Sequence, residues 1–471
     1  MLRLSCLLLA LFSALSAQAA EQGAAVEAAP LVAPEDVSAP ADAPVMDSNP
    51  PAAEAEPAQL HEQQLAAKRI EVLRATLAAT APQKNFLSGL FSSSARPVDS
   101  ALLAEMQRFI QRFPELPQTA QVYQLKAQLH QRIEDYPAAA IDWLMLLAAY
   151  PASPLTDEAH QQLKQLADGK LKQQAVTLQA MTDKLDLLSG GREQHVAGFL
   201  VFLGRLSDKD FSAPIAAECA AFLERNRSYP DEDRILDALG HQQMLLDNEM
   251  ALYYFNELQA LYPDSPLLPE SLLAVGNVQR NGLKRYPAAV TSFSEVIRKY
   301  PDSNEAKQAY EALANMYDVD MRDYGNAIKT YDAIVARYRN DSVVLRSLQA
   351  LAHIYQDKIR QPQLAIATWR KLADIYPDKD GLAALVQAEN LARYTVSDWK
   401  LAIEINRLIV NGYPKDDEAV KALYANAGLY EEKLKDREQA LKLYQEVVSN
   451  YPGHSLAKDA QRHIDTLQQK K

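Results

Sequence analysis

A tyrosine followed by proline returns along the second half of this chain at a nearly fixed interval. Tyr262-Pro263, Tyr300-Pro301, Tyr376-Pro377, Tyr413-Pro414 and Tyr451-Pro452 mark it, and Tyr338-Arg339 fills the one gap. The numbers of successive tyrosines differ by 38, 38, 38, 37 and 38. A period between 20 and 50 residues is the mark of stacked supersecondary units. Such a chain packs each unit on its neighbours instead of gathering one central core, so length alone does not count its domains.

Each tyrosine closes a segment of one design, as in AAVTSFSEVIRKYP and LAIATWRKLADIYP. Apolar residues recur at three- and four-residue steps, the spacing of one helix face, as Ala289, Phe293, Val296 and Ile297 show. Alanine holds one position throughout (Ala289, Ala327, Ala365, Ala402, Ala440), where a neighbouring helix can come close. Four residues on, a large side chain fills the space beside it: Phe293, Tyr331, Trp369 and Tyr444, with Asn406 the exception. Proline cannot continue a helix, so the chain must turn after each tyrosine. Fifteen glycines in 471 residues and few alternating β-branched runs leave no material for a sheet.

The offsets Ala289–Phe293–Pro301, Ala365–Trp369–Pro377 and Ala440–Tyr444–Pro452 resemble those of the tetratricopeptide repeat. The preceding helix carries a small residue and a tyrosine three apart, Ala314/Tyr317, Ala352/Tyr355 and Ala427/Tyr430. The family's Trp and Leu near the repeat start are poorly kept, and each unit is three or four residues longer than the 34-residue norm. Longer units ending in Tyr-Pro-Asp-Ser resemble the bacterial periplasmic branch, such as the Tol-Pal accessory protein and the repeat lipoprotein of the β-barrel assembly machine. The resemblance implies an all-α fold, a right-handed α-solenoid of stacked helix–turn–helix units. It also implies that the first helix of each pair lines a concave groove for a protein or peptide. In register with the three tyrosines, the groove-facing residues are Gln308, Glu311 and Asn315, then Arg346, Gln349 and His353, then Lys421, Tyr424 and Glu431. Polar side chains there would hydrogen-bond an extended segment, with Arg346 and Lys421 as point charges.

Residues 1–19 read as a secretory signal: Arg3, an apolar run from Leu4 to Leu15, and the small-x-small site Ala17-Gln18-Ala19. Cys6 precedes most of the apolar run and so does not fit a lipid-accepting cysteine. Residues 20–60 read as a disordered tether rich in Ala, Pro and acid, with eight carboxylates and no Lys or Arg. Residues 61–80 are helical by spacing. Residues 81–99, with Phe86, Leu87, Leu90 and Phe91, read as a loop pinned to the body, the alternative being a short partner-binding or membrane-touching element. Residues 61–228 hold degenerate helical repeats, with a helix over 171–188 stopped by Gly190-Gly191, and residues 229–454 hold regular ones. About ten helical pairs precede a capping helix over 455–471. Cys219, the only cysteine after the signal, sits on an apolar helix stripe and reads as a small buried hydrophobe.

The formal net charge is −12. Without Arg3 and the tether's eight acids it falls to −5 from residue 60 onward, a nearly balanced body. Neither part has the basic surplus that phosphate binding needs, so no nucleic-acid partner is expected. No segment after the signal is apolar enough to span a membrane, so any outer-membrane association would pass through a partner. His61-Glu62-Gln63-Gln64-Leu65 misses the zinc-protease pattern at its second ligand, and His454 and His463 make no convincing metal pair. No catalytic motif and no cofactor motif is present. The sequence reads as a non-enzymatic periplasmic scaffold for a protein or peptide partner in the cell envelope. The alternative is the helical collar of a peptidoglycan- or protein-processing enzyme.

Overall fold

The computed structural model describes residues 52–80, 96–227, 229–339 and 341–469, with side chains from residue 61. The described residues form 21 α-helices and no strand, an all-α solenoid. None of these helices is long and apolar enough to cross a membrane. Helix α1 (Ala52–Ala79) begins inside the segment read as tether. Ala52–Glu56 are strong helix formers, and Pro57 removes only one hydrogen bond from the second turn. The aromatics Phe86 to Phe91 lie outside the described residues.

The first eight helices continue with α2 (Pro97–Arg112), α3 (Thr119–Arg132), α4 (Tyr136–Ala149), α5 (Thr156–Asp168), α6 (Ala175–Leu185), α7 (Arg192–Gly204) and α8 (Lys209–Arg225). Helix α4 is their hub, packing on α3, α5, α6, α7 and α8. Every side chain from Ala138 to Ala149 is buried, including Asp142. A buried carboxylate must be paired. Lys126 Nζ lies 2.9 Å from Asp142 and 2.8 Å from Glu218, and His130 Nδ1 lies 2.6 Å from the other Asp142 oxygen. Cys219 is fully buried, and burial pushes its thiol far above the ordinary range, so it acts as packing. Gly190-Gly191 starts a helix instead of stopping one. Helix α6 ends at Leu185, Gly190 takes φ +113°, and Gly191 N–H donates to Gln194 Oε1 at 2.7 Å, so the Gln194 side chain caps the start of α7.

From α9 (Glu232–Leu246) and α10 (Asn248–Leu261) the pairs become uniform. First helices are α11 (Leu268–Asn277), α13 (Asn304–Asn315), α15 (Ser342–His353), α17 (Lys379–Asn390) and α19 (Asp417–Glu432). Second helices are α12 (Tyr286–Lys299), α14 (Tyr324–Arg337), α16 (Pro362–Ile375), α18 (Trp399–Gly412) and α20 (Arg437–Asn450), and α21 (Ser455–Gln469) follows. Each helix packs on the next. The large residue of each second helix is buried as its spacing predicts: Phe293 0%, Tyr331 8%, Trp369 5% and Tyr444 1% exposed. At one fixed separation before each stands a small residue on the first helix: Gly276, Ala314, Ala352 and Ala427. A Cβ on Gly276 would come within 2.5 Å of the Phe293 ring. The remaining unit inverts the sizes. Glu389 stands at the small position and Asn406 at the large one, both buried. Asn406 Nδ2 donates to Asn426 Oδ1 at 2.9 Å and to Glu389 Oε1 at 3.4 Å.

Four first helices finish in one wide π-turn: Val278–Gly282, Met316–Asp320, Ile354–Lys358 and Leu391–Val396. The chain then takes one left-handed residue: Lys284, Arg322, Arg360, Ser397 and Lys435, at φ +54° to +58° and at intervals of 38, 38, 37 and 38. Glu134 before α4 is a sixth, and it precedes Tyr150 by the same separation that sets the others ahead of their tyrosines. Aspartates cap most of the second helices that follow. Asp323, Asp398 and Asp436 accept from N–H groups three residues on, at 3.0–3.1 Å.

Three of the tyrosines tie their turn to an earlier one. Tyr150 Oη donates to Pro114 O at 2.6 Å, Tyr451 Oη to Pro414 O at 3.0 Å, and Tyr376 Oη to Asp341 O at 3.0 Å. At the irregular Tyr338-Arg339 step, the buried Tyr338 hydroxyl has no partner among the described residues. Arg337 reaches Pro301 O instead, at 2.8 Å.

A non-glycine residue in the left-handed region costs on the order of 1 kcal/mol. Arg360 is exposed and makes no ion pair among the described residues. Arg360→Gly should therefore raise stability by roughly 1 kcal/mol in denaturant melts. Trp369→Ala, which empties a packed position in the same unit, should lower it by about 3–5 kcal/mol. A loss of stability in the glycine variant would contradict the account of the turn.

Candidate functional site

First helices present their outer positions side by side, and one cleft opens among them. It has a volume of about 300 Å³ and is lined by His241 and Met244 of α9, Glu270, Leu273, Ala274 and Asn277 of α11, and Glu305 and Gln308 of α13. A charged network supports one wall. Asp237, 1% exposed, lies one turn before His241 on α9, with His241 Nδ1 3.4 Å from its Oδ2. Arg205, just after α7, reaches the same oxygen at 2.7 Å and also pairs with Glu270. Asp237 Oδ1 has no hydrogen-bond partner among the described residues. His241 also stands edge-on to the buried Phe255 ring, 5.2 Å between centroids. Burial opposes a charge on this imidazole, yet the hydrogen bonds and charge of Asp237 outweigh it, and the pKa lies above its ordinary value.

Sequence reasoning placed Gln308 on this surface, and it lines the cleft. The next positions are engaged with one another across repeats. Glu311 pairs with Arg346 of the following first helix. Asn315 accepts from Arg280, 2.5 Å away, and Arg280 also reaches Asp320 at 2.7 Å. Gln349 is half-buried. His353 is exposed, edge-on to Trp369 at 5.3 Å and 3.4 Å from Asp357. Lys421 is held by Asp417 and Glu418 of its own helix at 2.6 and 2.8 Å.

Tyr424 and Glu431 are not open groove residues. Helix α21 packs over them. His463 stacks on Tyr444 with centroids 4.7 Å apart, and Tyr424 stands edge-on to both rings. Glu431 accepts from the Tyr444 hydroxyl and pairs with His463, each at 3.0 Å. These contacts place the pair in the seam between α19, α20 and α21. His454 is engaged separately, 2.8 Å from Asp417.

The residues missed from sequence are Arg205, Asp237, His241 and Glu270. Their one signal was an aspartate inside the apolar run Ile235-Leu236-Asp237-Ala238-Leu239, with a histidine one turn on. The cleft offers carboxylates, an imidazole and side-chain amides for hydrogen bonding, beside the apolar Met244 and Leu273. Among the described residues no group of three or more His, Cys, Asp or Glu is arranged to hold a metal ion.

Residues 270–303 and 417–454 match the tetratricopeptide repeat family model, and each match runs through a Tyr-Pro step. Those two segments are similar to tetratricopeptide repeats. No curated protein matches it. Among solved structures, yeast Tom70 is similar at 11% identity over 88% of this chain and 94% of that one, with a TM-score of 0.24. The TPR domain of P58(IPK) is similar at 14% identity over 81% and 98%, TM-score 0.22. The APC/C hetero-tetramer Cut9-Hcn1 is similar at 12% identity over 78% and 81%, TM-score 0.25. At such scores the likeness adds nothing to what the helices themselves show.

The raised His241 pKa makes a stability prediction. The charged imidazole contributes fully below its ordinary value of 6.5, and the contribution is lost as pH rises through the raised value. His241→Gln should therefore have a melting midpoint that falls less than wild type between roughly pH 6 and 8. Parallel profiles would show that the Asp237–His241 contact does not favour the proton.

Proposed function

We propose that this protein is a non-enzymatic scaffold of the bacterial periplasm. It is exported with cleavage after Ala19, and it holds a protein or peptide partner along its first-helix face in envelope assembly, division or polymer export. The observation that carries the reading is the cleft made jointly by α9, α11 and α13, with polar side chains from three successive first helices converging on it. A surface shared between repeats suits an extended segment, which meets one helix after another as it passes. The tetratricopeptide matches support a protein-interaction role. The signal-like residues 1–19 support export.

The test places a photo-crosslinking residue at Gln308, and at Lys329 on the exposed face of second helix α14 as a control. Envelope fractions are then irradiated, and the protein's N-terminus is read by mass. Crosslinks to one defined partner at Gln308 and none at Lys329, on a chain beginning at Ala20, are expected. Equal labelling at both positions would remove the first-helix face from the account. A retained leader would remove the export route.

A further inference from the structure

A second surface lies at the other end of the described chain, far in sequence from the first-helix cleft. Helix α1 touches the body through Ala66, Ile70 and Leu73, and leaves an open groove of about 840 Å³ between itself and α2. The floor is apolar. Phe109 and Leu73 are buried at its base, while Leu65 and Val72 remain 43% and 64% exposed. Leu65 and Val72 are two turns apart on one helix face, so they form a ridge about 10 Å long. The rim is basic. Lys68, Arg69, Arg108 and Arg112 surround the floor, with Glu105 the one carboxylate. Glu105 is paired with Arg108 at 2.9 Å. Among the described residues no carboxylate lies within ion-pair distance of Lys68, Arg69 or Arg112. The Arg69 and Arg112 guanidiniums lie 5.8 and 5.3 Å from the Phe113 ring centre, which fixes their heads beside the groove. This concentration of cations stands on a chain whose formal net charge is −12.

We infer that this groove is a docking site for an acidic amphipathic helix of a protein partner. Two helical walls with an open seam accept a third helix, whose leucine-type residues at i, i+3/i+4 and i+7 would pack on Leu65, Val72 and Phe109. Its flanking Glu and Asp residues would meet Lys68, Arg69 and Arg112. Residues 81–95, which connect the two walls, carry Lys84 and no acid, so they lack the charge that the rim selects.

The probe is a fluorescein-labelled peptide of about 18 residues built from Glu and Leu, with the leucines on one helical face. Its anisotropy is read against the full chain. Two further peptides serve as comparators, one scrambled and one with Lys in place of Glu, and phosphatidylglycerol vesicles form a separate arm. The ordered acidic peptide should bind, and binding should weaken as salt rises. The double variant Lys68→Glu/Arg69→Glu should lose at least tenfold, and Val72→Ser severalfold. All three residues are exposed, so melting curves should stay unchanged. The control Lys329→Glu should bind as wild type. Equal binding of the scrambled peptide, or no loss on charge reversal, overturns the inference. Vesicle binding that depends on Lys68 and Arg69 while the peptide fails replaces the partner with a membrane surface. Failure of the acidic peptide against wild type, with Val72 already protected from solvent in the free protein, means the chain itself fills the groove. None of these outcomes bears on crosslinking at Gln308.

Discussion

The regular half of this chain depends on one steric agreement. Where the two helices of a repeat cross, one gives up its side chain and the other supplies a ring. Gly276 lies under Phe293, and Ala314, Ala352 and Ala427 stand at the same separation before Tyr331, Trp369 and Tyr444, each pair buried in one cluster. Interiors pack as densely as organic crystals, so the volume at the crossing has to be matched and cannot be left open. Filling both positions would force the helices apart, and emptying both would leave a cavity at each. The Glu389–Asn406 unit reverses the partners, and the Asn406 amide that replaces the ring donates to Asn426 and to Glu389. Burial raises the Glu389 pKa, against the opposing influence of Arg393 and the Asn406 hydrogen bond. That unit is therefore the place where the repeat exchanges packing for polar pairing.

A constant crossing requires a constant connection. The π-turn widens the end of the first helix, and the left-handed residue after it turns the chain back. In three of the five units an aspartate then caps the next helix. Residues such as Arg322 and Lys435 take a conformation that glycine would adopt without strain. Each of them costs about 1 kcal/mol of stability that the crossing beside it must offset. The tyrosine hydroxyls that reach back to the preceding turn then set the spacing of one unit on the next.

The alternation of Ala289 with Phe293, and of Ala365 with Trp369, was legible because helical spacing and burial leave the same trace. The connections were not legible. Lys284, Arg322, Arg360, Ser397 and Lys435 share no residue type, and their common feature is a backbone angle. The glycine pair at 190–191 was read backwards, since a glycine can either stop a helix or precede one. Gln308 lines the cleft beside α9 and α11, and its register comes from α13 alone. Tyr424 and Glu431 were misplaced because their surroundings come from α21, a helix outside the repeat pattern. Asp237 and His241 escaped notice because their unit, between Tyr229 and Tyr262, is shorter than the later ones and lies outside the register that those tyrosines define.

The matched crossing is tested most directly by restoring the common pair in the reversed unit. Asn406→Tyr alone should be destabilising, because Glu389 already fills the position beneath the new ring. Adding Glu389→Ala should recover stability in that background, while the same change alone should destabilise wild type by leaving a cavity. The double-mutant cycle, read from denaturant melts, should show a favourable coupling of about 1–3 kcal/mol. Additive effects of the two substitutions would mean that the residues at the crossing do not share one volume, and the account of the repeat would fail.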